Sequence, residues 1–142
     1  MHISEGVLSP AVLSLGAIAS VAGVALGLRR LEAERLITVA LLGAAFFVGS
    51  LVHVPIGPAS AHLILNGLLG AILGWAAFPA ILVALTLQAV LFQYGGIMVL
   101  GVNTLTMALP AVLCFYLWRP LLLRTGTWRT VAAFCCGAFS VA

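Results

Sequence analysis

The chain contains no lysine and no aspartate, and charged residues make up only 6% of its 142 residues. Each absence removes a class of chemistry. Without lysine there is no phosphate-cradling P-loop, no Ser–Lys dyad and no Schiff base. Without aspartate there is no aspartyl protease pair, and the zinc-protease pattern HExxH is missing as well. An intramembrane enzyme is therefore the weaker of the alternative readings. Six arginines and three glutamates cannot cover the surface of a soluble fold, whose charged share is about 25%.

What is there is apolar. Hydrophobic residues make up 64% of the chain, in several long runs. Runs of this kind read as transmembrane helices rather than the alternating strands of an outer-membrane barrel. The expected class is all-α and integral to the membrane: a single transmembrane domain over residues 1–142, with about five spans plus an incomplete sixth. The incomplete one is "TVAAFCCGAFSVA", thirteen uncharged residues after Arg129, against the roughly 20 that a span needs. On that ground the chain is expected to be a fragment truncated at its C-terminus. Cys114, Cys135 and Cys136 lie in apolar runs without CxxC spacing and read as small core residues. Met98 and Met107 read as core, and Gly95, Gly96 and Gly101 as tight turns.

The arginines fall in two groups, Arg29, Arg30 and Arg35, and then Arg119, Arg124 and Arg129. The positive-inside rule makes both cytoplasmic. The first span, from Pro10 to about Leu28 behind the N-cap Ser9, then runs inward, and the second, from about Leu36 to Val52, returns. Leu63–Phe92 is thirty residues without a charge. It must fold as two short helices or a re-entrant pair, broken near "GWAAFPA", or the second arginine group would lie outside. The N-terminus, the loop "HVPIGPASAH" and the loop "QYGGIMVLGVNT" then share the outer face, and with them all three histidines, His2, His53 and His62.

His2 beside the free amine of Met1 has a specific chemistry. The amine and the His2 amide nitrogen close a five-membered ring on a metal, and the amide nitrogen and the imidazole Nδ1 close a six-membered one. One further imidazole completes a planar set of four nitrogens, which suits Ni(II) or Cu(II), accommodates Co(II) and disfavours tetrahedral zinc. Bulky His2 protects Met1 from removal. His53 and His62 are both candidates for the fourth ligand. Ser60 is expected to cap the next helix, with His62 in its first turn, where a neutral imidazole is favoured. Asn66, one turn on, could then hold the ring's other nitrogen.

Three blocks carry a resemblance: "MHISEG" at the start, "PIGPASAHLILNG" at Pro55–Gly67 and "QYGGIMVLGVNTLTMALPA" at Gln93–Ala111. Together they resemble the CbiM/NikM family, the substrate-capture (S) subunits of energy-coupling-factor cobalt and nickel importers. The resemblance implies an S-component helical bundle whose tucked N-terminus binds Co²⁺ or Ni²⁺, as transported substrate, through Met1 and His2. It implies a later histidine as fourth ligand, which maps to His62 and makes His53 the less favoured one, and an outer loop carrying Asn103 that closes over the site. It implies a transmembrane coupling subunit and separate ATPase subunits as partners, with a small accessory membrane subunit as a further candidate. The protein would be multi-pass in a prokaryotic cell (inner) membrane, with its N-terminus outside. No organic cofactor and no nucleic acid is expected. The competing reading is a structural membrane subunit in which His2 is incidental.

Overall fold

Helix α1 starts where a start signal stands. Ser9 is extended (φ −67°, ψ 151°), Pro10 occupies the first helical position, and α1 runs Pro10–Arg29. Proline fits there because the first-turn N–H has no intrahelical partner in any case. The computed structural model describes residues 3, 6–56, 59–62, 65–122, 127, 130–132 and 135–136, with the backbone alone for 53–56, 59–62, 119, 121 and 122. A single 3-10 turn, Ala33–Arg35, leads into α2, Leu36–Leu51. A two-stranded antiparallel hairpin follows, β1 His53–Ile56 and β2 Ala59–His62. Then come α3 (Asn66–Leu73), α4 (Ala77–Phe92) and α5 (Leu100–Leu122).

The helical membrane bundle is as expected, and the hairpin is an addition to the all-α reading. Its signal stood in the sequence. "HVPI" and "ASAH" are separated by the two residues Gly57 and Pro58, a spacing that reads as a hairpin. Among the described residues four segments are long and apolar enough to cross a membrane: Pro10–Arg29, Ala33–Leu51, Asn66–Phe92 and Leu100–Trp118. Beyond α5, residues 127, 130–132 and 135–136 are described, all helical, and the last five fall in the stretch expected to begin a sixth span, while Arg124 and Arg129 lie outside the described residues.

Residues 63–92 contain two helices, broken near "GWAAFPA". The eight residues of α3 extend about 12 Å, less than half the roughly 30 Å hydrocarbon core. The chain turns at Gly74, whose φ of 55° favours glycine, and a 3-10 turn to Ala76 leads into the 16-residue α4. The break thus precedes Pro79, which sits in the first turn of α4 and is tolerated there.

Contacts between elements fix which ends lie together. Arg30 Nη1 donates to the Tyr116 hydroxyl at 3.2 Å, and Trp75 Nε1 donates to the same oxygen at 2.9 Å. The Arg30 guanidinium lies 5.5 Å from the Trp75 ring centroid. The end of α1, the α3–α4 turn and the last third of α5 therefore share one end of the bundle, the arginine end. A Cβ built on Gly101 would lie 2.7 Å from Ala17 Cα, so the first turn of α5 touches the amino-terminal half of α1 backbone to backbone, toward the opposite, amino-terminal end. The two helices run parallel, α4 runs back against both, α2 packs on α4, and α3 lies along α5.

The core sits on α4, which buries Ala77, Phe78, Ala80, Ile81, Ala84 and Leu85 against Phe46 of α2, Leu69 of α3 and Ala108 and Ala111 of α5. Met107 and two of the three cysteines, Cys114 and Cys136, are buried as expected, and Cys135 is partly so. Met98 is not core: it is 76% exposed in the loop before α5. Gly95 and Gly96 take positive φ values of 85° and 111° in that loop, as tight turns do. Gly101 instead lies within α5, where its missing side chain admits α1.

Candidate metal centre

Apart from the Trp118 Nε1 near the end of α5, the polar side chains buried near helix ends lie at the amino-terminal end. Ser50 closes α2, Asn66 opens α3, Gln88 stands one turn before the end of α4, and Asn103 and Thr104 lie in the first turn of α5. Asn66, Gln88, Asn103 and Thr104 are buried and Ser50 is half-buried. Buried polar groups in apolar helices are costly and mark functional sites.

Asn103 was expected on a loop and stands on a helix. Its N–H donates to the Val99 carbonyl at 2.9 Å, which starts α5. Its side chain is turned to the beginning of the chain. The Ile3 N–H donates to Asn103 Oδ1 at 2.9 Å, and Asn103 Nδ2 donates to the Ile3 carbonyl at 3.3 Å. One amide thus reads both polar groups of one residue, as a neighbouring strand would. Met1 and His2 lie outside the described residues, but His2 is bonded directly to the clamped Ile3.

His53 and His62 are cross-strand partners: the register pairs His53 with His62, Val54 with Ala61, Pro55 with Ser60, and Ile56 with Ala59. Two local expectations are corrected here. Ser60 does not cap the next helix, and His62 is not in its first turn, because both belong to β2 and α3 begins only at Asn66 behind Leu65. The Gly57–Pro58 pair favours a turn that sends the following residues back along β1, so the helix cannot start until the strand ends. The helical spacing that linked His62 to Asn66 is therefore absent. Asn66 nonetheless keeps a buried Oδ1 with no hydrogen-bond partner among the described residues.

Sequence reasoning missed Gln88 and Ser50. Ser50 Oγ donates to the Phe47 carbonyl at 2.8 Å, and Gln88 Nε2 donates to Ser50 Oγ. Gln88 Oε1, fully buried, has no partner among the described residues. The signal was available: Gln88 and Asn66 are the only side chains carrying amides in thirty uncharged residues. Among the described residues no group of three or more His, Cys, Asp and Glu side chains could hold a metal ion.

The sequence profile of the cobalt uptake substrate-specific transmembrane region matches residues 2–142. A Haemophilus influenzae protein, provisionally named as a metal transport protein, is 59% identical over 119 residues, covering 84% of this chain and 58% of that one. The fused nickel transport protein NikMN of Rhodobacter capsulatus is 40% identical over 114 residues, covering 76% of this chain and 33% of that one. A crystal structure of a truncated transition metal transporter superposes with a TM-score of 0.79 at 29% identity, over 99% of this chain and 70% of that one. The chain spans between a third and three fifths of the length of these two curated relatives. Matched across nearly its whole length in sequence and in fold, the chain belongs to the CbiM family of cobalt-uptake substrate-specific transmembrane regions.

Proposed function

We propose that this chain is the metal-capturing membrane component of an ATP-driven importer for Co²⁺ or Ni²⁺. The ion binds at the amino-terminal, outward-facing end. Its four nitrogens are the Met1 amine, the His2 amide, the His2 imidazole and the His62 imidazole. The observation that carries this reading is the grip of Asn103 on Ile3. It docks the start of the chain onto the bundle instead of leaving it to fray. At about 3.8 Å per residue, covalent connection keeps Met1 within about 8 Å of the clamped residue. The hairpin bearing His62 leads directly into α3, which packs along the same helix, α5. The nickel named for the Rhodobacter relative agrees with the planar nitrogen set.

Loading such a chelate releases the His2 amide proton, so it requires a free, unblocked amine and becomes easier as pH rises. ATP hydrolysis falls to separate ATPase subunits acting through a transmembrane coupling subunit, since the chain has no lysine for a P-loop. In a bacterial or archaeal cell membrane, both arginine groups are cytoplasmic and the N-terminus is outside.

The test compares protein with its native N-terminus, the same protein carrying an N-terminal extension, and His2→Ala, all titrated with Ni²⁺ in nanodiscs. Only the first should bind and develop the visible absorption of diamagnetic planar nickel. Equal binding by all three would remove the chelate. No binding by any would favour a structural subunit.

A further inference from the structure

Two buried amides at the amino-terminal end each leave an oxygen unengaged, and the geometry of one of them is fixed. Ser50 has a single hydroxyl hydrogen, and it goes to the Phe47 carbonyl. Toward Gln88 the hydroxyl can therefore only accept. The group facing it must be the Nε2 amide, so Gln88 Oε1 points away from Ser50, with no partner among the described residues. Ser50 stands three residues before His53, at the foot of the hairpin, and Gln88 is held to that foot from α4. Asn66 stands four residues beyond His62, at the hairpin's other foot, with its Oδ1 likewise open. The third amide of this end, Asn103, is engaged on both atoms by Ile3.

A native fold rarely buries an unpaired carbonyl oxygen without a use for it. The donors that match are the imidazoles. A neutral imidazole that binds a metal through one nitrogen keeps an N–H on the other, and that N–H needs an acceptor to fix the ring's tautomer and orientation. The chelate proposed above uses two imidazoles, and this end of the bundle has two open, buried amide oxygens. We infer that Gln88 is a positioning residue of the metal centre, its Oε1 accepting the outer N–H of one metal-binding imidazole while Asn66 Oδ1 serves the other. The inference rests on the capture reading and adds to it the residues that orient its ligands. Neutral acceptors suit the task. The ion has already displaced an amide proton, and a buried carboxylate would add an anion that must be desolvated again at each release.

The consequence is read in metal binding, not in the fold alone. In nanodiscs, with a native N-terminus, Gln88→Met removes the acceptor at nearly constant volume, and Gln88→Glu keeps one. Gln88→Met should lower Ni²⁺ affinity about ten- to a hundred-fold and shift the visible nickel band, while Gln88→Glu, which keeps an acceptor but gives up the Nε2 donor to Ser50, should fall between Gln88→Met and wild type. Ser50→Ala frees the Gln88 amide to rotate and should move affinity and band the same way by a smaller amount. This variant decides the matter if Gln88→Met does not fold. Wild-type affinity and an unchanged band in Gln88→Met, or in Ser50→Ala when that variant decides, overturn the positioning role while leaving capture intact. Failure of the wild-type protein itself to bind nickel removes the capture reading and this inference together.

Discussion

Asn103 holds Ile3 by both backbone groups, across one hundred positions of sequence, with its Oδ1 2.9 Å from the Ile3 nitrogen and its Nδ2 3.3 Å from the Ile3 oxygen. Two half-buried hydrogen bonds at about 1 kcal/mol each favour the docked N-terminus by about 2 kcal/mol. Asn103→Leu should therefore lower metal affinity about 30-fold, because every kcal/mol lost from the docked state is lost from binding. Asn103→Asp keeps the acceptor for the Ile3 N–H and loses the donor, so it should fall between. Calorimetric titration with Ni²⁺ reads both. An affinity that ignores both substitutions would mean that the chelate does not depend on the clamp.

The close approach of α3 to α5 supports a second prediction. A Cβ on Gly70 would lie 2.6 Å from Ala111 Cα, inside any permissible contact, and the atoms in the way are backbone. Gly70→Ala must push α3 off α5 at a cost of about 1–3 kcal/mol, displacing Asn66 and the strand before it. It should lower both the melting temperature and the metal affinity. Gly43→Ala serves as the control. Its nearest neighbour is the Ala80 side chain at 3.7 Å, an ordinary contact, so it should leave both unchanged.

How much of this was readable beforehand depended on the range of the interaction. Pro10 behind Ser9 is a local signal, and α1 begins at Pro10. The arginine groups and the charge-free stretch imply a break within residues 63–92, and the chain breaks there at Gly74, between α3 and α4. The hairpin is hidden behind helix signals: Ser60 ahead of an apolar run reads as a helix cap, yet Ser60 and His62 lie in β2. The Ile3–Asn103 bonds join residues at opposite ends of the bundle's sequence, and no periodicity announces them. Gln88 escaped notice for the same reason: its partner Ser50 is 38 positions away, and only packing brings α2 and α4 together.

The arginine end provides a contrast. Tyr116 accepts from Trp75 at 2.9 Å and from Arg30 at 3.2 Å, tying α1, the α3–α4 turn and α5. Tyr116→Phe removes the shared acceptor and should lower the thermal midpoint only slightly, since the cluster is exposed. Thirteen residues of α5, about 20 Å, separate it from Asn103. At that separation effects are additive, so the metal affinity should stay at its wild-type value while the thermal midpoint falls. A parallel loss of affinity would show that the two ends are coupled.

The hairpin poses the sharpest choice, because its register makes His53 and His62 direct partners. What separates them is the element each strand is tied to. β1 follows α2, whose main neighbour is α4. β2 leads into α3, which packs along α5, the helix that also holds Ile3. β2 also touches α2, but it is the strand that runs on into the helix pair carrying Ile3, and this favours His62. His62→Ala should weaken Ni²⁺ binding by more than the about ten- to hundred-fold that loss of an outer hydrogen bond brings, and should change the visible band as water replaces an imidazole. His53→Ala should leave both close to wild type. The reverse ranking would move the fourth ligand onto β1, and with it the support of the site from α5 to α4.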